Sequence, residues 1–351
     1  MRWNRGPQGR SGVAVRWRSW SRRRRAAVSV LVVAALLLLP VAGAAAALGI
    51  HYLGDPADTA RTRGRDAVWL GHAWVDGRKT DADLAALGER IRGTGIRDLY
   101  VHTGPLEHDG SLDGSQSPQA ARFVAEVHRT LPGLRVQAWL GDVVAPEKDW
   151  GLHLDQAEVR DRITASAGQV LDLGFDGVHL DVEPVRSGSA GWLTLLDRVR
   201  PVTAARGAQL SVAAPQIDPV PGLHRVGLAV ADHGKWWSRS YFAETARRVD
   251  QIAVMSYDTA MPLESLYGGY VAQQTELALA ATPPGTDLLM GLPAYWDDDF
   301  GHRGSAETVA AAVRGARLGL GEDRRPAFGL ALYVDFTATP EHWEAYRRGW
   351  C

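Results

Sequence analysis

The chain has 351 residues, 46% of them hydrophobic, and a formal net charge of −1. That length and apolar content suffice for a large core. The charge is unevenly placed: residues 1–25 hold nine arginines and no acid, so the remainder carries −10. An acidic body of this kind is a poor nucleic-acid binder. The lone cysteine, Cys351, excludes an internal disulfide framework and a cysteine-based metal centre.

Residues 26–50, AAVSVLVVAALLLLPVAGAAAALGI, carry no charge. About 20 apolar residues suffice to cross a bilayer, and the arginine-rich residues 1–25 before them should stay cytoplasmic. The run is longer than most signal-peptide cores, which favours an uncleaved, single-pass anchor with the body of the protein outside the cell. Ala42-Gly43-Ala44 also fits a small-residue cleavage site, so secretion after signal cleavage is the alternative. Residues 51–66 read as a short polar linker.

From Ala67 to the end, short β-branched or aromatic runs alternate with helical patterns. Eight strands are predicted: AVWLGHAW from 67, IRDLYVHT from 96, LRVQAWLG from 134, GVHLDVE from 177, AQLSVAAPQ from 208, QIAVMSYD from 251, DLLMGLPAYW from 287 and AFGLALYVDF from 327. Their starts lie about 30 to 43 residues apart, room for a strand, a helix and two loops. After the first strand, Leu84, Leu87 and Ile91 repeat at helical spacing, with Gly93 as a stop. Val159, Ile163 and Val170 keep such a face after the third. After the eighth, Thr339 can cap a helix with Pro340 at its first position, and Trp343, Tyr346 and Trp350 line one side. Eight such units over residues 67–351 predict a single (β/α)8 TIM barrel. A doubly wound open sheet is the alternative, but no glycine-rich phosphate loop follows the first strand.

Barrel chemistry sits at the C-terminal ends of the strands. There the sequence offers, in order, His72 and Trp74; His102; Trp139 and Asp142; His179, Asp181 and Glu183; Gln216 and Asp218; Tyr257 and Asp258; Tyr295 and Trp296; Tyr333 and Asp335. Aromatic faces suit sugar rings, and paired carboxylates suit acid/base cleavage of a glycosidic bond. Within GVHLDVE, side chains alternate, so His179, Asp181 and Glu183 share the face that points into the barrel, while Val178, Leu180 and Val182 face the helices. Crowding by Asp181 and partial burial should raise the Glu183 pKa, as leaving-group protonation requires.

The stretch Asp176-Gly177-Val178-His179-Leu180-Asp181-Val182-Glu183 resembles the fourth-strand signature D-G-x-D-x-D-x-E of glycoside hydrolase family 18, the chitinase-like family. MSYD, Met255 to Asp258, is similar to the family's M-x-Y-D at the sixth strand. GLPAYW from 291 and VAAPQ from 212 are similar to its seventh and fifth strands. The resemblance spans roughly residues 67 to 336. It implies retaining, substrate-assisted hydrolysis of a β-linked polysaccharide or oligosaccharide of chitin or peptidoglycan type, in which the substrate's 2-acetamido oxygen attacks the anomeric carbon. By match, Glu183 is the general acid/base, Asp181 orients the acetamido group, Tyr257 donates to its oxygen and Asp258 holds the sugar. Trp139, Asp142, Trp74, Gln216, Tyr295, Trp296 and Tyr333 are the further substrate-binding candidates, supported by Asp176, His179 and Met255. The resemblance implies no metal and no other cofactor.

Two positions depart from the pattern. His179 stands where the family has an acid that partners Asp181; a histidine there can hold Asp181 ionised as a cation or a donor. Tyr333 stands where a tryptophan usually floors the sugar pocket, which argues for a substrate other than chitin. A non-catalytic glycan-binding barrel and a hydrolase of a non-acetylated polysaccharide are the alternatives; retention of Glu183 favours catalysis. Lys235-Trp236-Trp237 can stack on a glycan or cover the rim. The acids of WDDDFGH, Asp297 to Asp299 with His302, read as a solvated loop rather than a metal site.

Overall fold

The structure is a computed structural model that describes residues 21–351. The chain divides into two compact units, Met1–Ala47 and Leu48–Cys351. Most of the arginine-rich segment read in residues 1–25 lies outside the described residues. The helix Arg22–His51 runs through the charge-free stretch, with Pro40 inside it. Its mean hydropathy reaches 2.6, and it is long and apolar enough to cross a membrane, a test that a signal sequence also passes.

The larger unit holds a closed, all-parallel barrel. Its strands are β1 (Asp66–Leu70), β2 (Ile96–Pro105), β3 (Arg135–Val143), β4 (Gly177–Glu183), β5 (Gln209–Ala214), β8 (Gln251–Val254), β9 (Asp287–Pro293) and β10 (Phe328–Tyr333). Two short strands, β6 (Gln216–Ile217) and β7 (Trp236–Trp237), pair outside it, within the long excursion between β5 and β8. The predicted (β/α)8 barrel is therefore observed, with all eight predicted strands in it. Several stop earlier than expected. The first ends at Leu70 and turns into a 3-10 helix, His72–Trp74. The sixth ends at Val254, so Tyr257 and Asp258 belong to a loop.

Alternation sorts the side chains as expected. Val178, Leu180 and Val182 join the large core between barrel and helices, with Leu84, Leu87, Ile91, Val159, Ile163, Val170, Trp343, Tyr346 and Trp350. The last helix, Pro340–Trp350, has the Thr339 cap and the proline start that the sequence predicts. The inner face is layered. At the N-terminal end, buried Asp98 takes a two-pronged bond from Arg135 (2.7 and 2.7 Å) and further bonds from Gln137 (3.0 Å) and Gln251 (3.1 Å). A buried carboxylate is tolerable only with such partners. Above it, Ala67, Trp69, Tyr100, Ala253, Leu289 and Ala331 pack together. The segment read as a polar linker packs on this unit: Ala60 is buried, and Thr62 N–H donates to the Trp350 carbonyl at 3.0 Å.

Candidate active site

The top of the barrel interior is acidic. The β3–β4 register sets Trp139 beside His179, Gly141 beside Asp181 and Val143 beside Glu183. Gly141 matters there, because a Cβ would meet the Asp181 carbonyl oxygen at 2.7 Å. Trp139 Nε1–H donates to Asp181 Oδ2 at 2.8 Å, while Asp181 Oδ1 is buried without a partner among the described residues. Burial pushes Asp181 up to about 6, with the Trp139 bond opposing the rise. Burial, and then the charges of Asp181 and Asp258, push Glu183 well above the usual carboxylate range. The proton of the pair therefore rests on Glu183.

A cleft of about 1040 Å³ opens over these acids, lined among others by Asp181, Glu183, Met255, Tyr257, Asp258 and Tyr333. The Tyr257 and Tyr333 rings stack at 5.3 Å. Tyr295, two residues past β9, supports the cleft from behind without lining it, its hydroxyl donating to Asp258 Oδ1 at 2.6 Å. Gln216 lines the same cleft with its polar atoms already engaged. Its Nε2 donates to the Met255 and Tyr257 carbonyls (3.1 and 2.6 Å), and its Oε1 accepts from Tyr270 at 2.9 Å. It fixes the Tyr257 loop rather than offering free donors to a ligand.

Other candidates lie elsewhere, for reasons of local geometry. Trp74 sits in the 3-10 turn after β1, where its ring packs near Phe123 and its Nε1–H donates to Asp335 Oδ2 at 2.8 Å. Asp142 falls on the opposite phase of β3 from Trp139 and pairs with His108 at 2.9 Å. Trp296 is half-exposed and stacks on His342 at 4.4 Å. Asp176 precedes β4, at the far end of the barrel, where it accepts from Val136 N–H at 2.7 Å and pairs with His128 at 2.8 Å. None of these four lines the cleft.

His179 lies one layer below Asp181 and is fully buried. Its Nε2 accepts from Trp69 Nε1–H at 3.1 Å, its Nδ1 bonds the Ser211 hydroxyl, and its ring stacks on Tyr100 at 3.9 Å. Burial lowers its pKa to about 3. Both nitrogens are taken and the ring is neutral, so it is neither a cation nor a donor toward Asp181.

Some cleft residues carried little sequence signal. Lys235 and Trp236 line it, so the KWW stretch faces the cleft; Trp237 is buried beneath. Phe300 and Arg303 line it from the acidic loop. The acids of that loop shape it: Asp298 accepts from Gly304 N–H and Asp299 from Gly301 and His302 N–H. Glu307, fully buried next to His302, belonged to no motif.

Fold and cleft together define a (β/α)8 barrel with an acid-centred site at its C-terminal mouth. Solved structures with the same architecture include the Bacillus megaterium spore cortex-lytic enzyme SleL, at 14% identity and TM-score 0.58 over 85% of this chain and 76% of that one. The Ostrinia furnacalis Group IV chitinase matches at 15% and 0.53, over 81% and 98%. The GH18 chitinase ChiB of Flavobacterium johnsoniae matches at 15% and 0.52, over 82% and 94%. At these identities the likeness establishes the shared barrel fold. No protein-family model matches the sequence, and no curated protein matches it.

Proposed function

We propose that the protein is an exported glycoside hydrolase that cleaves β-linked, N-acetylated glycans by a retaining, substrate-assisted mechanism. Residues 26–50 would tether the barrel to the membrane with the cleft outside the cell. One observation carries the reading: Asp181 and Glu183 sit on the same face of β4 at the floor of the cleft, with Tyr257 facing them. The fold shared with chitinases and a spore cortex-lytic enzyme supports it.

Glu183, protonated, gives its proton to the leaving oxygen as the glycosidic bond breaks. The substrate's acetamido oxygen bonds to the anomeric carbon, forming a cyclic cation. Asp181, ionised beside it, stabilises that charge, and Tyr257 donates to the acetamido group. Glu183, now a carboxylate, takes a proton from water as the water opens the intermediate. The test compares the chain with Glu183→Gln on N-acetylated oligosaccharides, peptidoglycan and their de-N-acetylated forms. Cleavage of acetylated forms alone, lost by about 10²–10⁴-fold in the variant, is expected. Equal cleavage of de-N-acetylated glycans refutes substrate assistance; binding without cleavage refutes catalysis.

A further inference from the structure

The loop leaving β8 carries Tyr257 and Asp258 into the cleft in a conformation that needs outside support. Asp258 (φ 56°) and Ala260 (φ 55°) both occupy the left-handed region, which disfavours residues with a Cβ. Neighbours hold the loop from several sides. Lys235 Nζ donates to the Asp258 carbonyl at 2.9 Å, and Ala260 N–H to the Gly301 carbonyl at 2.7 Å. Thr259 N–H donates to Glu307 at 3.0 and 3.2 Å.

Next to Asp258 lies His302, 1% exposed. Its Nδ1 is 3.2 Å from Asp258 Oδ1 and 3.5 Å from Glu307 Oε2. A neutral imidazole at this place would leave the buried Glu307 carboxylate and the half-exposed Asp258 carboxylate with no cation between them. A cation there offsets the repulsion between them and favours the ionised form of Asp258. Burial opposes protonation of His302, but the two carboxylates outweigh it and push the imidazole up to about 9. Burial also opposes ionisation of Asp258, yet His302 and Tyr295 bring its carboxyl below the usual range.

Every element around His302 contributes a titratable or charged group. Asp258 and Lys235 come from the two loops beside the cleft, and the Tyr295 ring packs on the imidazole at 4.3 Å. Glu307 and Arg303 come from its own loop, with Arg303 N–H bonding Glu307 at 3.3 Å. Tyr267 faces Glu307 and Asp258 from the helix Glu264–Ala281.

We propose that His302 and Glu307 form a buried clamp that keeps Asp258 ionised and aimed into the cleft, making them positioning residues for the sugar that Asp258 binds. The proposal rests on the reading of the cleft as a glycan site. It is tested in two arms on the full-length chain in detergent. In the first, histidines carry ¹³C at Cε1 and are titrated by NMR, with His302 assigned by its loss in His302→Gln. His302 stays protonated above pH 8, and its midpoint falls by about one unit or more in Glu307→Gln and Asp258→Asn. A His302 that is neutral at pH 7 overturns the clamp. In the second, hydrolysis of an N-acetylated oligosaccharide is followed against pH. The wild-type KM rises as pH passes 9; in His302→Gln it is raised about tenfold at pH 7 and loses that rise, while kcat changes less. An unchanged KM, or equal loss in kcat and KM at every pH, overturns the positioning role. If the wild type hydrolyses no glycan, the functional reading has failed, and the NMR titration still decides the clamp.

Discussion

Trp139→Phe isolates one hydrogen bond in the acid pair. The indole N–H is the donor to Asp181 Oδ2, at 2.8 Å, and among the described residues Oδ1 has no partner to compensate for its loss. A bond to an ionised group contributes about 1.5–3 kcal/mol. At 1.36 kcal/mol per pKa unit, its removal raises Asp181 by about 1–2 units. Burial already holds that carboxyl at about 6. In the proposed mechanism Asp181 acts ionised and Glu183 protonated, so the acid limb of the pH–kcat/KM profile should move from near 6 toward roughly 7–8. At pH 6 the variant should lose about tenfold, and it should recover part of that as the pH rises. The assay is kcat/KM against pH on an acetylated, fluorogenic oligosaccharide. A limb that does not move refutes the argument. A loss equal at every pH would mean that the indole acts by packing against His102 and Tyr333, which flank it at 4.8 and 6.2 Å.

Two further predictions concern stability. Asp66 is buried and pushed up to about 7 by burial, although Thr62, Leu330 and Trp350 all donate to it. Its native pKa exceeds its unfolded value, so its contribution is fully present below about pH 4 and is lost as pH rises through about 7. Asp66→Asn should flatten the pH dependence of the urea midpoint between pH 4.5 and 8, by an amount on the order of 2 kcal/mol; an unaltered dependence refutes the assignment. Ser211→Ala strips His179 Nδ1–H of its acceptor in a fully buried layer. It should destabilise by about 1–3 kcal/mol in denaturant melts while leaving the pH profile of hydrolysis in place. A displaced profile would show that His179 does govern Asp181.

The sequence by itself determined the barrel and the floor of its site. Period-two runs separated by helical faces admit few other folds, and strand alternation alone assigns Asp181 and Glu183 to the interior and Val178, Leu180 and Val182 to the helices. Alternation fails where a strand ends. Trp74 lies past the end of β1, and its turn swings it onto Phe123 rather than the cleft. Phase was legible for Asp142, two residues before Val144 and off the Trp139 face, but its partner His108 comes from another loop. What only the tertiary structure decided are contacts between segments far apart in the chain. Trp69 and Ser211 make His179 a neutral core residue, and Gln216 is engaged by a loop some 40 positions away. Glu307 acquires meaning only where folding brings it against His302 and Thr259. Local pattern fixes the phase of a side chain on its own element; whether its polar atoms are spent inside the protein or left for a ligand depends on which distant atoms folding delivers beside them.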